Sequence, residues 1–334
     1  MTNTATEGSY SVVIPTIGRP CLADCLRALA VSDGRPPEEV VVVDDRPDGA
    51  GELPLDAAGV LRDRVRTLRT GGLGPAAARN AGWRTVATPW TVFLDDDVQV
   101  LPDWSRLLAR DLAAADPATA GVQGMLTVPL PEDRRPTDWE RVTAGLRHAA
   151  WATADMAYRT TALAQVQGFD ERFRRAFRED ADLALRVCDA GWRLRRGLRT
   201  TRHPVRPAGR WVSVRAQRGN ADDVLMTRLH GRDWWRRAEA PRGRLPGHTL
   251  VTAAALTAVG CALTGRRRAA GAAGALWALG TAEFALVRIG PGPRTGHEIT
   301  TMLATSVLIP PLAVRHWLDG LVRHRRVRPH GGTP

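Results

Sequence analysis

Between Tyr10 and about Thr201 the chain alternates short apolar runs with helix-like segments. The runs at 10–15 (YSVVIP), 39–44 (EVVVVD), 64–68 (RVRTL) and 90–95 (WTVFLD) predict strands, and helices are predicted near 21–31, 74–87 and 102–115. Pro75 falls just inside the second of these helices, a first-turn position where a missing N–H is tolerated. Strand and helix in alternation define an α/β domain with a largely parallel sheet. The unbroken valines at 40–43 suit a strand covered on both faces.

The polar positions that end these runs carry the functional information. In open α/β sheets, ligands bind beyond the carboxyl ends of the strands. Here those ends read Pro15-Thr16, Asp44-Asp45 and Asp95-Asp96-Asp97, so three polar clusters are expected along one rim. Three adjacent carboxylates repel one another, which calls for a cation. Oxygen ligands suit a hard ion such as Mg²⁺, which binds one or two carboxylates together with substrate phosphates. Alone, the triplet reads equally well as a solvated turn. Its convergence with the other two clusters favours a site.

Beyond Gly247 the texture changes. Residues 249–264 and 269–282 are nearly free of charge, and 299–314 are apolar around Pro310-Pro311. Arg266-Arg267-Arg268 separates the first two stretches, and Arg323, Arg325, Arg326 and Arg328 mark a basic tail. The expected division is a flexible N-terminus (1–9), a catalytic domain (10–247), an apolar helical region (248–318) and a basic tail (319–334).

Composition adds three limits. The 334 residues are 44% apolar, enough for a sizeable core, and 47 basic against 35 acidic residues give a net charge of +12. All the cations are arginine, a texture of base composition more than of chemistry. A basic chain raises nucleic acid as a partner, but the arginines are scattered and form no recognisable nucleic-acid module. Anionic lipid or phosphorylated substrates are the expected partners. Cys21, Cys25, Cys188 and Cys261 lack metal-ligand spacing, and no disulfide framework is expected, which fits a reducing compartment. The polar start lacks a signal-peptide core, and the catalytic part is therefore expected to stay in the cytoplasm.

Taken in order, the signals are Val-Val-Ile-Pro15-Thr16, Val43-Asp44-Asp45, Gly74 with Ala78-Arg79-Asn80-Ala81-Gly82, Phe93-Leu94-Asp95-Asp96-Asp97, Gly168-Phe169-Asp170-Glu171 and Glu179-Asp180. This set closely resembles the family 2 glycosyltransferases, over roughly residues 10–203. The resemblance implies a GT-A fold with a mainly parallel mixed sheet, a nucleoside-diphosphate-sugar donor, and Mn²⁺ or Mg²⁺ as cofactor. It implies that Asp45 reads the nucleotide base, for which a carboxylate accepts imide or guanine N–H groups, while Asp44 is structural. Pro15 and Thr16 would line the same pocket. Arg19 reads as a phosphate partner or, equally, as a surface charge. Gly71-Gly72-Leu73-Gly74-Pro75 opens a helix whose N–H groups favour anions; Arg79 and Asn80 read as nucleotide-proximal or as a structural hydrogen-bonded pair. The resemblance places Asp95 near the ribose or metal and Asp97 on the metal, with Asp96 assisting or solvated.

Acids at a helix start normally cap it, and spacing alone reads Glu179-Asp180 that way. The resemblance instead implies that Asp180 is the catalytic base of an inverting enzyme, with Glu179 on the acceptor side and Asp182 a cap. His203 reads as an additional metal ligand or as a structural histidine. The segment from Trp211 to Trp235 is expected to select the acceptor. Gln217 lacks the Arg-Trp partner of processive synthases, which favours addition of one sugar per encounter. The inferred reaction is metal-dependent inverting transfer to the hydroxyl of a cell-envelope or lipid-linked glycan or a secondary metabolite. Competing readings are a non-catalytic nucleotide-sugar-binding scaffold and a nucleotidyltransferase, whose Gly-rich signature beside the first strand is missing.

A membrane-spanning helix needs about 20 apolar residues. The stretch 249–265 is slightly short, and 269–287 contains Glu283 and abuts Arg288. Two spans would carry Arg266-Arg267-Arg268 to the far side, against the positive-inside rule. Helices lying in the interface let every Arg cluster meet anionic lipid; a soluble helical subdomain is the third reading. Association with the cytoplasmic face of the plasma membrane, peripheral or hairpin-inserted, is the preferred expectation.

Overall fold

The structure is a computed structural model that describes residues 8–330. Most of the expected flexible N-terminus (1–7) and the last four residues of the basic tail lie outside the described residues. The chain forms two compact units. The first runs to Pro129 and adds Gly145–Pro204 and Arg237–Ala240; the second comprises Leu130–Ala144, Val205–Arg236 and the chain from Pro241. Sequence texture changes only near 247, so it does not separate 130–144 and 205–236 from the first unit.

The first unit is built on eight strands among the described residues: β1 (Tyr10–Thr16), β2 (Val40–Asp44), β3 (Val65–Arg69), β4 (Trp90–Leu94), β5 (Gln99–Val100), β6 (Thr119–Thr127), β7 (Asp155–Arg159) and β8 (Arg193–Arg202). Their order is β3-β2-β1-β4-β7-β6-β8-β5. β3, β2, β1 and β4 run parallel, β7 is antiparallel to both neighbours, and β5 pairs antiparallel with β8. The sheet is covered on both faces, as the valine runs predict. Val12, Ile14, Val40 and Val42 enter one core cluster, while Val13, Val41, Val43 and Phe93 enter another. Alternate strand residues point to opposite faces, and here each face has its own apolar cover.

The predicted helices appear as Leu22–Ala30, Pro75–Trp83 and Trp104–Ala113. The middle one stops four residues short of its predicted end at 87. Just past that end both the N–H and the Oγ1 of Thr85 donate to the Gly82 carbonyl, at 3.1 and 2.7 Å, satisfying an acceptor the helix leaves open. Gly82 also lets this helix approach β1, since a Cβ there would lie 2.4 Å from Val13 Cγ1.

One ionic network in this unit has no counterpart in the sequence reading. Arg199 on β8 is fully buried and donates to Asp111 (2.9 Å), Asp155 (2.8 Å) and the Val122 carbonyl (2.7 Å). Asp155 further accepts from Trp104 Nε1 at 2.8 Å and Thr201 Oγ1 at 2.6 Å. Removing one partner of such a group strands the remaining charges without water. Arg199→Met is therefore expected to destabilise the fold by about 3–5 kcal/mol, read as a lower denaturant midpoint; an unchanged midpoint would refute this.

The second unit is helical. Helix Asn220–His230 packs closely on helix Gly296–Arg323, where a Cβ on Gly320 would lie 2.8 Å from Ala221 Cα. That last helix continues into the predicted basic tail as far as Arg323. Helices Leu245–Leu263 and Arg267–Ile289 are long and apolar enough to cross a membrane, with only 11% of each apolar window buried. Leu256, Leu263 and Leu279 stand exposed on them. The two charges noted near the second helix are paired: Glu283 with Arg244 at 2.7 Å, and the buried Arg288 with Asp138 at 2.8 Å.

Candidate active site

The carboxyl ends of β1, β2 and β4 do converge. Thr16 pairs with Asp44 across the ladder, and the Asp45 N–H donates to the Thr16 carbonyl at 2.8 Å. On the other side the Thr16 hydroxyl donates to Asp96 at 2.6 Å, and Arg19 donates to the same carboxylate at 3.0 Å. Asp96 is therefore neither solvated nor turned outward. It is buried, and that burial pushes its pKa up while Thr16 and Arg19 oppose the shift. Arg19 is thereby tethered at the rim rather than being an isolated surface charge. Pro15, the residue before Thr16, is half-buried.

Asp45 is buried and organises the Gly-rich loop. Its Oδ1 accepts from Thr70 Oγ1 (2.7 Å), Gly72 N (3.0 Å) and Leu73 N (2.8 Å), and its Oδ2 accepts from Gly74 N (2.9 Å). Only Oδ2 retains accepting capacity. Asp44 is held by Arg46, whose hydrogen bonds lower its pKa. Gly74 has φ +99°, and a Cβ there would press to 2.8 Å from the Arg174 carbonyl oxygen, so both backbone and space require glycine.

Helix Pro75–Trp83 then carries Arg79 inward. Arg79 is buried and bridges Asp95 (2.7 Å) and Glu179 (2.9 Å), tying the end of β4 to the start of helix Glu179–Asp189. Burial works against its charge, but the two carboxylates prevail and hold its pKa above the ordinary arginine value. Asn80 is structural in every contact it makes. Its amide donates to Phe169 O and Glu171 at 2.8 Å each, and its carbonyl accepts from Trp83 Nε1 (2.8 Å) and Phe169 N (2.9 Å). Both donors and both acceptors are engaged, so of the two readings of Asn80 the hydrogen-bonded strut is the one the contacts describe.

Glu179 is buried, and loss of water together with the neighbouring Asp180 pushes its pKa up to about 8, against the pull of Arg79. Its Oε2 has no hydrogen-bond partner. Asp180 is half-buried; one of its oxygens accepts the Ala181 N–H at 2.7 Å. Desolvation raises its pKa, Arg79 lowers it, and Asp95 is near enough to raise it further. The residue before this pair, Arg178, has φ 75°, a left-handed backbone that a non-glycine residue adopts only under constraint. Asp182 is not the expected cap. It is fully buried and accepts from Arg186 at 2.7 and 2.9 Å, one turn along the same helix.

His203 joins the acids through the sheet. Gln99 pairs with Arg202 and Val100 with Thr201, so the strand leaving Asp97 runs back along the strand reaching His203. The His203 N–H extends the β6–β8 ladder to the Thr127 carbonyl at 2.8 Å. Ligand atoms of Asp95, Asp97 and His203 lie within 4.8 Å of one another, and His203 Nε2 is 3.7 Å from Asp97 Oδ1. Nδ1 lies 3.3 Å from the Pro204 carbonyl; a proton held there leaves the Nε2 lone pair facing the acids. Two carboxylates and one imidazole fit a divalent ion such as Mn²⁺.

Trp211 belongs to the second unit, where it is 39% exposed with Arg210 stacked over its ring at 5.2 Å. The sequence reading missed the Thr16–Asp96 bond, the Arg79 bridge and Tyr158. The buried Tyr158 hydroxyl has no partner, and its pKa is raised by burial and then by Asp180. A tyrosine on a strand carries no signal of that environment in sequence.

Comparison with known proteins defines the class. The family described as Glycosyl transferase family 2 matches residues 11–178. The chain belongs to that family and carries its glycosyltransferase domain on a GT-A fold. The fold is similar to that of the mannosyltransferase PcManGT from Pyrobaculum calidifontis, solved in complex with GDP-Man and Mn²⁺: TM-score 0.58 and 19% identity, over 93% of this chain and 86% of that one. In sequence it is similar to the pre-mycofactocin glycosyltransferase of two Mycobacterium tuberculosis strains (CDC 1551 / Oshkosh and ATCC 25618 / H37Rv), 33% identical over 136 residues. That match covers 36% of this chain and 28% of the relatives' own length.

Proposed function

We propose that this protein transfers a sugar from a nucleoside-diphosphate sugar to an acceptor hydroxyl, with inversion at the anomeric carbon. The carrying observation is the gathering of Asp95, Asp97 and His203 within 4.8 Å on the rim that also holds Asp180. Asp95, Asp97 and His203 would hold Mn²⁺ or Mg²⁺, the imidazole favouring Mn²⁺. Bound there, the ion supplies positive charge that neutralises the diphosphate. Pro15, Thr16 and the loop shaped by Asp45 would border the base, with Asp45 Oδ2 as its acceptor; Arg19 would face a phosphate. Asp180 takes the proton of the acceptor hydroxyl while that oxygen bonds the anomeric carbon. The bond from that carbon to the diphosphate oxygen breaks, and nucleoside diphosphate leaves. Glu179, fixed by Arg79, positions Asp180 and lies toward the acceptor. The GDP-Man and Mn²⁺ held by the similar mannosyltransferase are consistent with this donor class.

The exposed apolar helices Leu245–Leu263 and Arg267–Ile289 support association with a membrane; the cytoplasmic face and a lipid-linked or cell-envelope acceptor are part of the same proposal. Full recovery in the soluble fraction without detergent would rule that association out. The reaction is tested by donor hydrolysis across UDP-, GDP- and TDP-sugars with Mn²⁺. Release of nucleoside diphosphate from at least one donor, abolished by chelation, is the expected result. Equal release in a chelator would refute the metal requirement, and no release from any donor would refute the activity.

A further inference from the structure

The second unit holds a half-open cavity of about 330 Å³, bordered by the start of helix Asp138–Ala144, the segment 205–213 and the first turns of helix Gly296–Arg323. Its volume sits at the small end of the range for small-molecule sites, about 300–1,000 Å³, which suits one ring rather than a whole nucleotide sugar. Thr301, only 5% exposed, is one of the residues lining this cavity, and its buried hydroxyl has no hydrogen-bond partner. Buried hydroxyls left unpaired are uncommon and mark a missing partner.

The rest of the lining indicates what that partner is. Trp139 presents an indole fixed in place, since its Nε1 donates to the Arg206 carbonyl at 2.9 Å. Met302 and Val212 add apolar surface. Glu298, 7% exposed, uses Oε1 to accept the Asp138 N–H at 2.7 Å, which leaves further accepting capacity on the carboxylate. The remaining acids are paired, Asp138 with Arg288 and Glu140 with Arg134. An aromatic face, a carboxylate and an unpaired hydroxyl match a ligand with an apolar ring face and a fringe of hydroxyls. The lining also carries Arg206, His297 and Arg210, the last stacked over Trp211, so Glu298 has basic neighbours and phosphate competition tests an anionic occupant.

We propose that this cavity is a carbohydrate-binding site that takes a neutral hexose ring of the acceptor. The assignment to the acceptor rests on the glycosyltransferase reading; the binding of a hexose ring does not. The test uses the full-length protein in a non-glycosidic detergent, without donor or metal. Methyl and octyl glucosides, mannosides and galactosides are probed by saturation-transfer NMR, with inorganic phosphate as competitor. At least one methyl hexoside is expected to bind at millimolar concentration. Thr301→Val, which keeps the shape and removes only the unpaired hydroxyl, is expected to weaken that binding about five- to tenfold without lowering the unfolding midpoint. Trp139→Leu is expected to weaken it as well.

Tighter binding of octyl hexosides would identify a lipid-linked ring, and equal binding a free glycan. Three results would overturn the proposal: no hexoside bound, binding unchanged in both variants, or displacement by phosphate. Donor hydrolysis separates the two readings. Hydrolysis retained with no hexoside bound refutes this cavity alone, whereas hexoside binding without hydrolysis upholds the cavity and refutes the reaction.

Discussion

Asp97→Asn is expected to lower sugar transfer about a thousandfold or more, a loss of several kcal/mol of charge stabilisation at the leaving diphosphate. Asparagine preserves the size of the side chain and one oxygen but removes the negative charge. The remaining candidate ligands would be Asp95, which also accepts from Arg79, and His203. Mn²⁺ affinity should fall with activity, so that excess Mn²⁺ restores turnover only partly. Electron paramagnetic resonance of bound Mn²⁺ and turnover over a metal series measure the two effects. Asp96→Asn is the control from the same triplet. Asp96 is buried and held by Thr16 and Arg19, so its loss should appear chiefly in stability. Full activity in Asp97→Asn would remove the metal assignment.

Asp180→Asn is expected to cut transfer by about 10²–10⁴-fold, the range of a positioned general base, with donor affinity unchanged. The same variant separates catalysis from helix capping. Asp180 is the second residue of helix Glu179–Asp189, so a role limited to the helix start would cost about 1 kcal/mol of stability or less and leave the rate intact. Transfer should also depend on pH. Desolvation holds the Asp180 carboxyl above the usual aspartate range, and the base acts only when ionised. The rate should therefore climb as pH rises through that elevated pKa and fall away below it. In Asp180→Asn this limb should vanish. Rate against pH at saturating donor makes the measurement, and transfer surviving at the wild-type level would refute the base assignment.

The two substitutions probe parts of the site that were unequally visible in sequence. The strands β1, β2 and β4 were legible because each is a run of valine, isoleucine and aromatic residues that only a sheet covered on both faces can bury. Their carboxyl-terminal acids were legible for the same reason, since parallel strands put those ends on one edge. Helix ends were less so: at the end of the helix from Pro75 the hydroxyl of Thr85 bonds the Gly82 carbonyl, a side-chain contact that no periodicity announces.

Roles within the acidic clusters divide along the same line. Asp45 and Asp96 stand in runs that look uniform, yet the first is bound by the Gly-rich loop and the second by Thr16 and Arg19. Asn80 reads as part of a nucleotide-proximal motif, but its four hydrogen bonds all close within the protein. Which oxygen of a carboxylate is already occupied depends on loops that reach it from elsewhere in the chain. Residue order does not encode that occupancy in any local pattern.

What the amino-acid order determined by itself was the alternation of strand and helix, the acidic rim and the apolar helical C-terminal region, because each follows from local periodicity and strand direction. Tertiary structure alone decided that His203 meets Asp95 and Asp97, that Arg79 bridges Asp95 and Glu179, and that Arg199 is buried between Asp111 and Asp155. Those contacts join residues far apart in sequence. The His203 contact depends on the register of β5 on β8, and the two arginine bridges on the charge compensation that burial demands; both exist only once the sheet has formed.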